Sequence, residues 1–156
     1  KESSAASDVY KRQLDYAHAP DALSNILRTC RTFTKKRLIA LFGCGGDRDK
    51  GKRPIMGRIG GELADLCILT SDNPRTEDPM EILREIEEGI KETTGEYVVI
   101  ENRRDAIRHA LEIGQEGDII VLCGKGHETY QETMGVKRPF DEKVVVQELL
   151  TELRGE

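Results

Sequence analysis

Four short apolar runs, each the length of a buried β-strand, alternate along the chain with segments of helical periodicity. The runs cover residues 38–42, 66–69, 97–100 and 119–122. Continuous apolar runs of this length are typical of strands that are covered on both faces, as they are in parallel sheets. Strict alternation of strand and helix therefore predicts an α/β fold that is Rossmann-like, with a mostly parallel sheet flanked by helices.

The helical segments are recognised by apolar residues at spacings of three and four. The first begins behind Pro20, a residue that suits the first turn of a helix, and its stripe is Leu23, Ile26, Leu27 and Cys30. Similar patterns predict helices at 80–90, 106–113 and 144–153. A further helix is predicted over 54–65, although three glycines there reduce helix propensity.

Residues 1–13 carry no periodicity and end abruptly at the first patterned segment. Residues 8–13 read D-V-Y-K-R-Q, which looks like the translated end of a transposon used to build sequencing libraries. We therefore interpret residues 1–13 as a sequencing scar or a disordered tail, and residues 14–156 as one domain. We expect the natural protein to begin further upstream.

Charge and cysteine usage exclude several classes of function. The chain has 24 Lys and Arg residues against 29 Asp and Glu residues, mixed along the sequence, so it lacks the basic footprint of a protein that binds nucleic acid or anionic membranes. It has no apolar run of membrane-spanning length and no signal peptide, which predicts a cytoplasmic protein. The four cysteines form no C-x-x-C pair, so we expect reduced thiols in the core rather than a zinc site.

The loop after the first strand, G-C-G-G-D-R-D-K-G-K-R-P at 43–54, nearly spells a phosphate-binding P-loop. Gly46, Gly51 and Lys52 have the required spacing, but Arg53 stands where the motif needs a hydroxyl for magnesium, so we reject a complete nucleotide site. The loop could still hold an anion with its backbone N–H groups and its cations, or it could be a solvated basic turn. Those cations are Arg48, Lys50, Lys52 and Arg53.

The loop after the second strand reads T-S-D-N-P-R-T-E-D-P. Arg75 offers a planar fork for a carboxylate, and Asn73 adds an uncharged donor. Asp72 could accept from an amine or orient Arg75, while Pro74 fixes the backbone between them. The alternative is a turn that only starts the following helix.

The loop after the fourth strand reads C-G-K-G-H-E-T-Y-Q. His127 is a weak candidate for a general base, because the sequence pairs no nucleophile with it. Glu128, together with arginines from the first two loops, would make a site with both signs of charge. Such a site suits an amino acid in its zwitterionic form.

These three loops, preceded by D-Y-A-H-A-P-D at 15–21, closely resemble in order and spacing the carboxyl-terminal domain of the Mur ligases. The resemblance is strongest to the members that add meso-diaminopimelate to UDP-N-acetylmuramoyl-L-alanyl-D-glutamate in peptidoglycan biosynthesis, and it covers the chain from about residue 14 to its end. It implies an ATP-dependent ligase that forms an acyl phosphate on the glutamate carboxylate, which the incoming amine then attacks.

The same resemblance implies that ATP and Mg²⁺ are bound mainly by a central domain upstream of this chain, and that a UDP-binding domain precedes the central one. This domain would hold the incoming amino acid and close over ATP. We expect no catalytic residue and no metal ligand within it, no activity of the domain alone, and a monomeric protein.

The family's motifs place individual roles on this sequence. The resemblance assigns contacts with diaminopimelate and its carboxylates to Arg48, Asp72, Asn73, Pro74 and Arg75. It assigns the non-reacting amine of diaminopimelate to the Gly124 carbonyl and the Glu128 carboxylate, and it makes Asp15 and His18 face the nucleotide. The departures are Ala19, where threonine is common, and Gly60 and Gly61 within a helix, which put helix stability in doubt.

Two alternatives stay open. The chain could belong to a related Mur ligase that adds another amino acid, such as lysine. It could also be a non-catalytic α/β module that binds a nucleotide or a small anion, with residues 43–53 as the phosphate cradle.

Overall fold

A computed structural model describes residues 8–12, 19–125 and 128–155. Within them a five-stranded parallel sheet has the strand order β1-β5-β2-β3-β4. Its strands are β1 (Asp8–Arg12), β2 (Leu38–Phe42), β3 (Leu66–Leu69), β4 (Glu96–Val99) and β5 (Ile119–Cys123). The helices are α1 (Ala19–Arg31), α2 (Lys52–Leu63), α3 (Pro79–Ile90), α4 (Arg103–Ile113) and α5 (Glu142–Leu153). The predicted Rossmann-like α/β fold is confirmed.

The sheet separates two apolar cores. Successive side chains of a strand point to opposite faces, and in β2 Ala40 packs into the core that contains α1, α2 and α3 whereas Leu41 packs into the core that contains α4 and α5. Both residues are fully buried. Burial on both faces explains why the strands read as continuous apolar runs rather than as alternating ones.

The glycines of α2 lie where neighbouring elements approach it closely. A Cβ on Gly57 would lie 2.0 Å from the Ile86 carbonyl oxygen, and one on Gly89 of α3 would lie 1.8 Å from the Pro54 carbonyl oxygen. The backbones of α2 and α3 are therefore in direct contact. Gly60 and Gly61, which put the stability of this helix in doubt, do not interrupt it, because α2 is continuous through both. A Cβ on Gly60 would lie 2.9 Å from Cys67 Sγ, and one on Gly61 would lie 2.2 Å from Thr93 Oγ1, so larger side chains would crowd their neighbours.

Side-chain caps fix where three helices begin. Asp78 accepts from the Met80 N–H at the start of α3, Asn102 accepts from the Asp105 N–H at the start of α4, and Asp141 caps α5. Each cap satisfies an N–H group that a helix leaves without a partner in its first turn. These caps place the helix starts directly after the loops that follow the strands.

Strand β1 lies in the segment that we set aside as a scar or tail. It pairs in parallel with β5, from Asp8 opposite Ile119 to Arg12 opposite Cys123. Residues 8–12 are therefore part of the sheet. The origin of residues 1–13 in a sequencing scar stays a prediction.

Two further strands, β6 (Tyr130–Thr133) and β7 (Val136–Pro139), form an antiparallel hairpin that the sequence did not predict. Its tight turn places Met134 at φ 52° and Gly135 at φ 78°, the left-handed conformation that two-residue hairpin turns require. The strands are polar and half-buried or exposed, so they carry none of the apolar pattern that marks the central sheet.

No helix among the described residues is long and apolar enough to cross a membrane.

Candidate functional site

The loops that follow β2 and β3 are bonded to each other at the carboxyl edge of the sheet. The Gly46 N–H donates to the Asn73 carbonyl oxygen at 2.7 Å, and the Asp47 N–H donates to Glu77 Oε2 at 2.6 Å. Asp47 sits at φ 56° and accepts from the Thr76 hydroxyl at 2.6 Å. Several side-chain contacts therefore hold this left-handed residue, which immediately precedes Arg48.

Arg53 is buried beneath these loops and is not part of an anion cradle. Its guanidinium, which is completely inaccessible to solvent, pairs with Glu77 at 2.9 Å and Glu85 at 3.1 Å, and donates to the Gly45 carbonyl oxygen at 2.9 Å. Hydrogen bonding from Arg53 lowers the pKa of Glu77 to about 2. The expectation that Arg53 could help to bind a ligand anion is wrong, because two carboxylates already neutralise it.

Two of the predicted arginines lie close to Gly45. A Cβ on Gly45 would lie 2.8 Å from Arg75 Nη1 and 3.6 Å from Arg48 Cγ. Arg75 donates from Nη1 to the Gly46 carbonyl oxygen at 3.1 Å and lies 3.6 Å, through Nε, from Glu132 Oε1. No described contact joins Arg75 to Asp72, so Glu132 is the carboxylate that orients it. We call Arg48 and Arg75 the arginine pair.

A second group of side chains, which we call the Lys125 cluster, consists of Asp72, Asn73, Lys125 and Glu128. Lys125 Nζ donates to Asn73 Oδ1 at 2.8 Å and to Glu128 Oε1 at 3.3 Å, and it lies 3.4 Å from Asp72 Oδ1. Asn73 Nδ2 donates to Glu128 Oε1 at 3.2 Å. Asp72 Oδ1 is buried and accepts no hydrogen bond among the described residues. The cluster thus holds two carboxylates against one ammonium.

Gly124 completes this group at the end of β5. It has a φ of 115°, which favours glycine, and a Cβ there would lie 3.5 Å from Asp72 Oδ2. The backbone of the third loop therefore lies beside the carboxylate of the second.

A buried ion pair between α4 and α5 connects these two loops. Arg103 and Glu142 are both fully buried and lie 2.7 Å apart. Arg103 also donates to the carbonyl oxygens of Ser71 at 3.0 Å and Cys123 at 2.9 Å. These residues immediately precede Asp72 and Gly124, so one guanidinium ties together the ends of β3 and β5.

The cysteines are free and buried, as predicted. Loss of hydration on burial raises the pKa of Cys44, Cys67 and Cys123 to about 12. Thiols with such values are not nucleophiles near neutral pH. In the part of the chain that the structure describes, no group of three or more His, Cys, Asp or Glu side chains is arranged to hold a metal ion.

The structure thus brings together seven residues that the sequence singled out. These residues are Arg48, Asp72, Asn73, Pro74, Arg75, Gly124 and Glu128. The group around the arginine pair adjoins the group around the Lys125 cluster, because the Gly46 N–H donates to the Asn73 carbonyl oxygen. Three others lie outside the described residues, namely Asp15, His18 and His127.

Sequence reasoning missed four charged residues that build the site, namely Glu77, Arg103, Lys125 and Glu132. Lys125 could have been found from its position between two glycines directly after a buried strand. Glu77 lies within the second loop, and its partner is 24 positions away in the sequence. The other two showed no distinctive pattern.

Comparison with known proteins identifies a family and several relatives that this chain resembles. The sequence model of the family described as "Mur ligase, glutamate ligase domain" matches residues 5–126. A protein of Clostridium botulinum is 56% identical over 140 residues, and one of Caldanaerobacter subterraneus is 56% identical over 139 residues. Both are named UDP-N-acetylmuramoyl-L-alanyl-D-glutamate--2,6-diaminopimelate ligase.

A solved structure of a ligase with the same name superposes with a TM-score of 0.84 at 46% identity and covers 92% of this chain. The chain spans 29% of the length of the two curated relatives and 30% of the solved chain. Because the family model covers more than half of this sequence, the chain belongs to the Mur ligase family, in its glutamate ligase domain.

Proposed function

We propose that this chain is the amino-acid-binding domain of a ligase that adds meso-diaminopimelate to UDP-N-acetylmuramoyl-L-alanyl-D-glutamate. The observation that carries the proposal is the distribution of charge at one edge of the sheet. The arginine pair lies close to Gly45, and the adjoining Lys125 cluster has two carboxylates and one ammonium group. Guanidinium groups suit a carboxylate and the excess negative charge suits an amine, so together they match an amino acid. The names of the relatives support the choice of diaminopimelate.

In this proposal the residues bind and orient the nucleophile. Arg48 and Arg75 hold carboxylates of diaminopimelate, while Glu128 and the Gly124 carbonyl hold the amine that does not react. Fixing both ends of the amino acid aims its other amine at the activated carboxylate of the acceptor, which converts an encounter between two molecules into a reaction within one complex. These residues therefore position the substrate rather than transfer a proton.

We further propose that ATP and Mg²⁺ are bound outside this chain, in the remainder of the protein. ATP would activate the glutamate carboxylate as an acyl phosphate. The loop at 43–53 supports this assignment, because the N–H groups of Gly46 and Asp47 already donate to protein oxygens. The Glu77 carboxylate accepts from the Asp47 N–H, so it lies where a phosphate bound by this loop would have to lie. The loop therefore favours the ligase over a nucleotide-binding module.

A chimeric ligase tests the proposal. In it, this chain replaces the matching segment of the Clostridium botulinum relative, and ADP release is measured with the UDP-linked dipeptide, ATP and one amino acid. We expect release that depends on meso-diaminopimelate and yields the amide. Glu128→Gln should raise the KM for diaminopimelate at least about tenfold, the cost of losing one charge-assisted hydrogen bond. A folded chimera that uses L-lysine, or no amino acid at all, would contradict the proposal.

A further inference from the structure

Lys125 occupies an unusual place for a lysine, since its side chain is completely buried. Nζ donates three hydrogen bonds, to Asn73 Oδ1 at 2.8 Å, to the Tyr130 carbonyl oxygen at 3.0 Å and to Glu128 Oε1 at 3.3 Å. An ammonium group has three N–H donors, so these acceptors use all of them. Lys125 therefore has no donor left for a substrate and can act only through its neighbours.

The orientation of the Asn73 amide depends on Lys125. Asn73 Oδ1 accepts from Lys125 Nζ and from the Glu132 backbone N–H at 2.9 Å. Because both partners are donors, the amide oxygen must face them, and the NH₂ group is left facing Glu128. Without the ammonium, one of the two donors that select this orientation is lost. The amide could then present its oxygen where the site needs a donor.

Lys125 also sets the charge of the cluster. Its Nζ lies 3.3 Å from Glu128 Oε1 and 3.4 Å from Asp72 Oδ1, so one ammonium offsets one of two neighbouring carboxylates. The remaining single negative charge matches one ammonium group of a ligand. Loss of Lys125 would leave two carboxylates side by side without a cation, and their repulsion would separate them. The spacing of Asp72 and Glu128 thus depends on the buried cation between them.

We propose that Lys125 is a positioning residue for the amino-acid substrate: it fixes the donor face of Asn73 and holds Glu128 where it can accept from the substrate's amine. This role rests on the proposed function. It differs from a purely structural role, because it predicts a specific loss of amino-acid binding in a folded protein.

The test compares three variants of the chimeric ligase. Lys125→Met removes the ammonium with little change in volume, and Lys125→Arg keeps the charge but cannot place three N–H groups on the same acceptors. Lys143→Met, on the exposed face of α5, is the matched control. Circular dichroism first establishes that each variant is folded, and KM values are then measured separately for meso-diaminopimelate and for ATP.

We expect Lys125→Met to raise the KM for meso-diaminopimelate by about 10- to 100-fold, the range seen when supporting residues of a functional site are removed. The KM for ATP should stay within about twofold, and Lys143→Met should change neither value. Lys125→Arg should raise the KM for diaminopimelate about tenfold. If Lys125→Met does not fold, the KM of Lys125→Arg alone tests the positioning role.

A folded Lys125→Met or Lys125→Arg variant with an unchanged KM for diaminopimelate overturns the positioning role, as does an equal rise in both KM values. These results presuppose an active unmodified chimera. If the unmodified chimera itself fails to use meso-diaminopimelate, the proposed function fails and the positioning role fails with it, so the two failures are distinguished by the activity of the parent protein.

Discussion

Glu77→Gln is the substitution for which the structure gives the most quantitative expectation. Glu77 is mostly buried, with 17% of its side chain exposed, and it accepts from the Arg53 guanidinium and from the Asp47 N–H. Hydrogen bonding from Arg53 is the main cause that lowers the pKa of Glu77 from 4.5 to about 2. At 1.36 kcal/mol per pKa unit, this shift corresponds to about 3 kcal/mol of folding free energy near neutral pH.

The pH dependence has a definite sign. A carboxyl group whose pKa is lower in the folded protein stabilises the fold fully above its unfolded pKa, here about 4.5, and this stabilisation is lost as the pH falls toward about 2. Glutamine cannot titrate. The difference in free energy of unfolding between the wild type and Glu77→Gln should therefore be largest near neutral pH and should shrink below about pH 4.5.

Urea denaturation followed by far-ultraviolet circular dichroism measures this difference. We expect a loss of about 3 kcal/mol for Glu77→Gln near pH 7. Glu81→Gln is the control, since Glu81 is exposed in the first turn of α3 and pairs there with Arg84, and it should cost no more than about 1 kcal/mol. A cost for Glu77→Gln as small as that of the control, or one that does not change with pH, would refute the reasoning.

Three further substitutions test the packing and the site. Gly57→Ala should destabilise the chain by about 1–3 kcal/mol in urea, because α2 must move away from α3; stabilisation by the better helix former would contradict the close contact. Arg103→Met should cost about 3–5 kcal/mol, because a buried carboxylate loses its partner, whereas Arg104→Met at the exposed surface should cost at most about 1 kcal/mol. Gly45→Ala should displace Arg75 Nη1 and raise the KM for diaminopimelate in the chimeric ligase about tenfold, with stability changed by less than about 0.5 kcal/mol.

The central sheet and its helices could be predicted because their patterns are local. A run such as Leu38–Phe42 is buried on both faces and reads as apolar throughout, and the stripe of α1 repeats within one helix. The hairpin of β6 and β7 was missed because its strands are polar, and its contact with the D-N-P-R loop, a bridge between Thr133 and Arg75, joins distant positions of the sequence. The pattern of apolar residues in a sequence indicates which segments are buried, and these two strands are half-buried or exposed.

The site could be predicted only in part for a related reason. The carboxyl ends of parallel strands lie at one edge of the sheet, so the loops that carry Arg75 and Glu128 were expected to meet. Which side chains pair within that edge depends on contacts between distant positions. Lys125 and Asn73 are 52 residues apart in the sequence, and lysine is rarely fully buried. No role for Lys125 in the site was therefore predicted. Arg53 was misread as a surface cation because its partners Glu77 and Glu85 lie 24 and 32 positions away in the sequence.

The ratio of kcat/KM for meso-diaminopimelate to that for L-lysine tests the central claim most directly. The two amino acids differ by one carboxylate at the end distant from the reacting amine. A site that binds that carboxylate with the Arg75 guanidinium loses charge-assisted hydrogen bonds to the ligand when lysine enters, while Arg75 and Asn73 keep their protein partners Gly46, Glu132 and Glu128. At about 1.5–3 kcal/mol for each such bond, we expect a preference for diaminopimelate of at least about tenfold.

The ratio is measured in the chimeric ligase and in its Arg75→Ala variant. We expect a large preference for diaminopimelate in the parent chimera, and a collapse of that preference in Arg75→Ala through a lower kcat/KM for diaminopimelate. If Arg75 only orients the start of α3, Arg75→Ala would lower stability and leave the ratio of the two substrates unaltered, and that result would contradict the account.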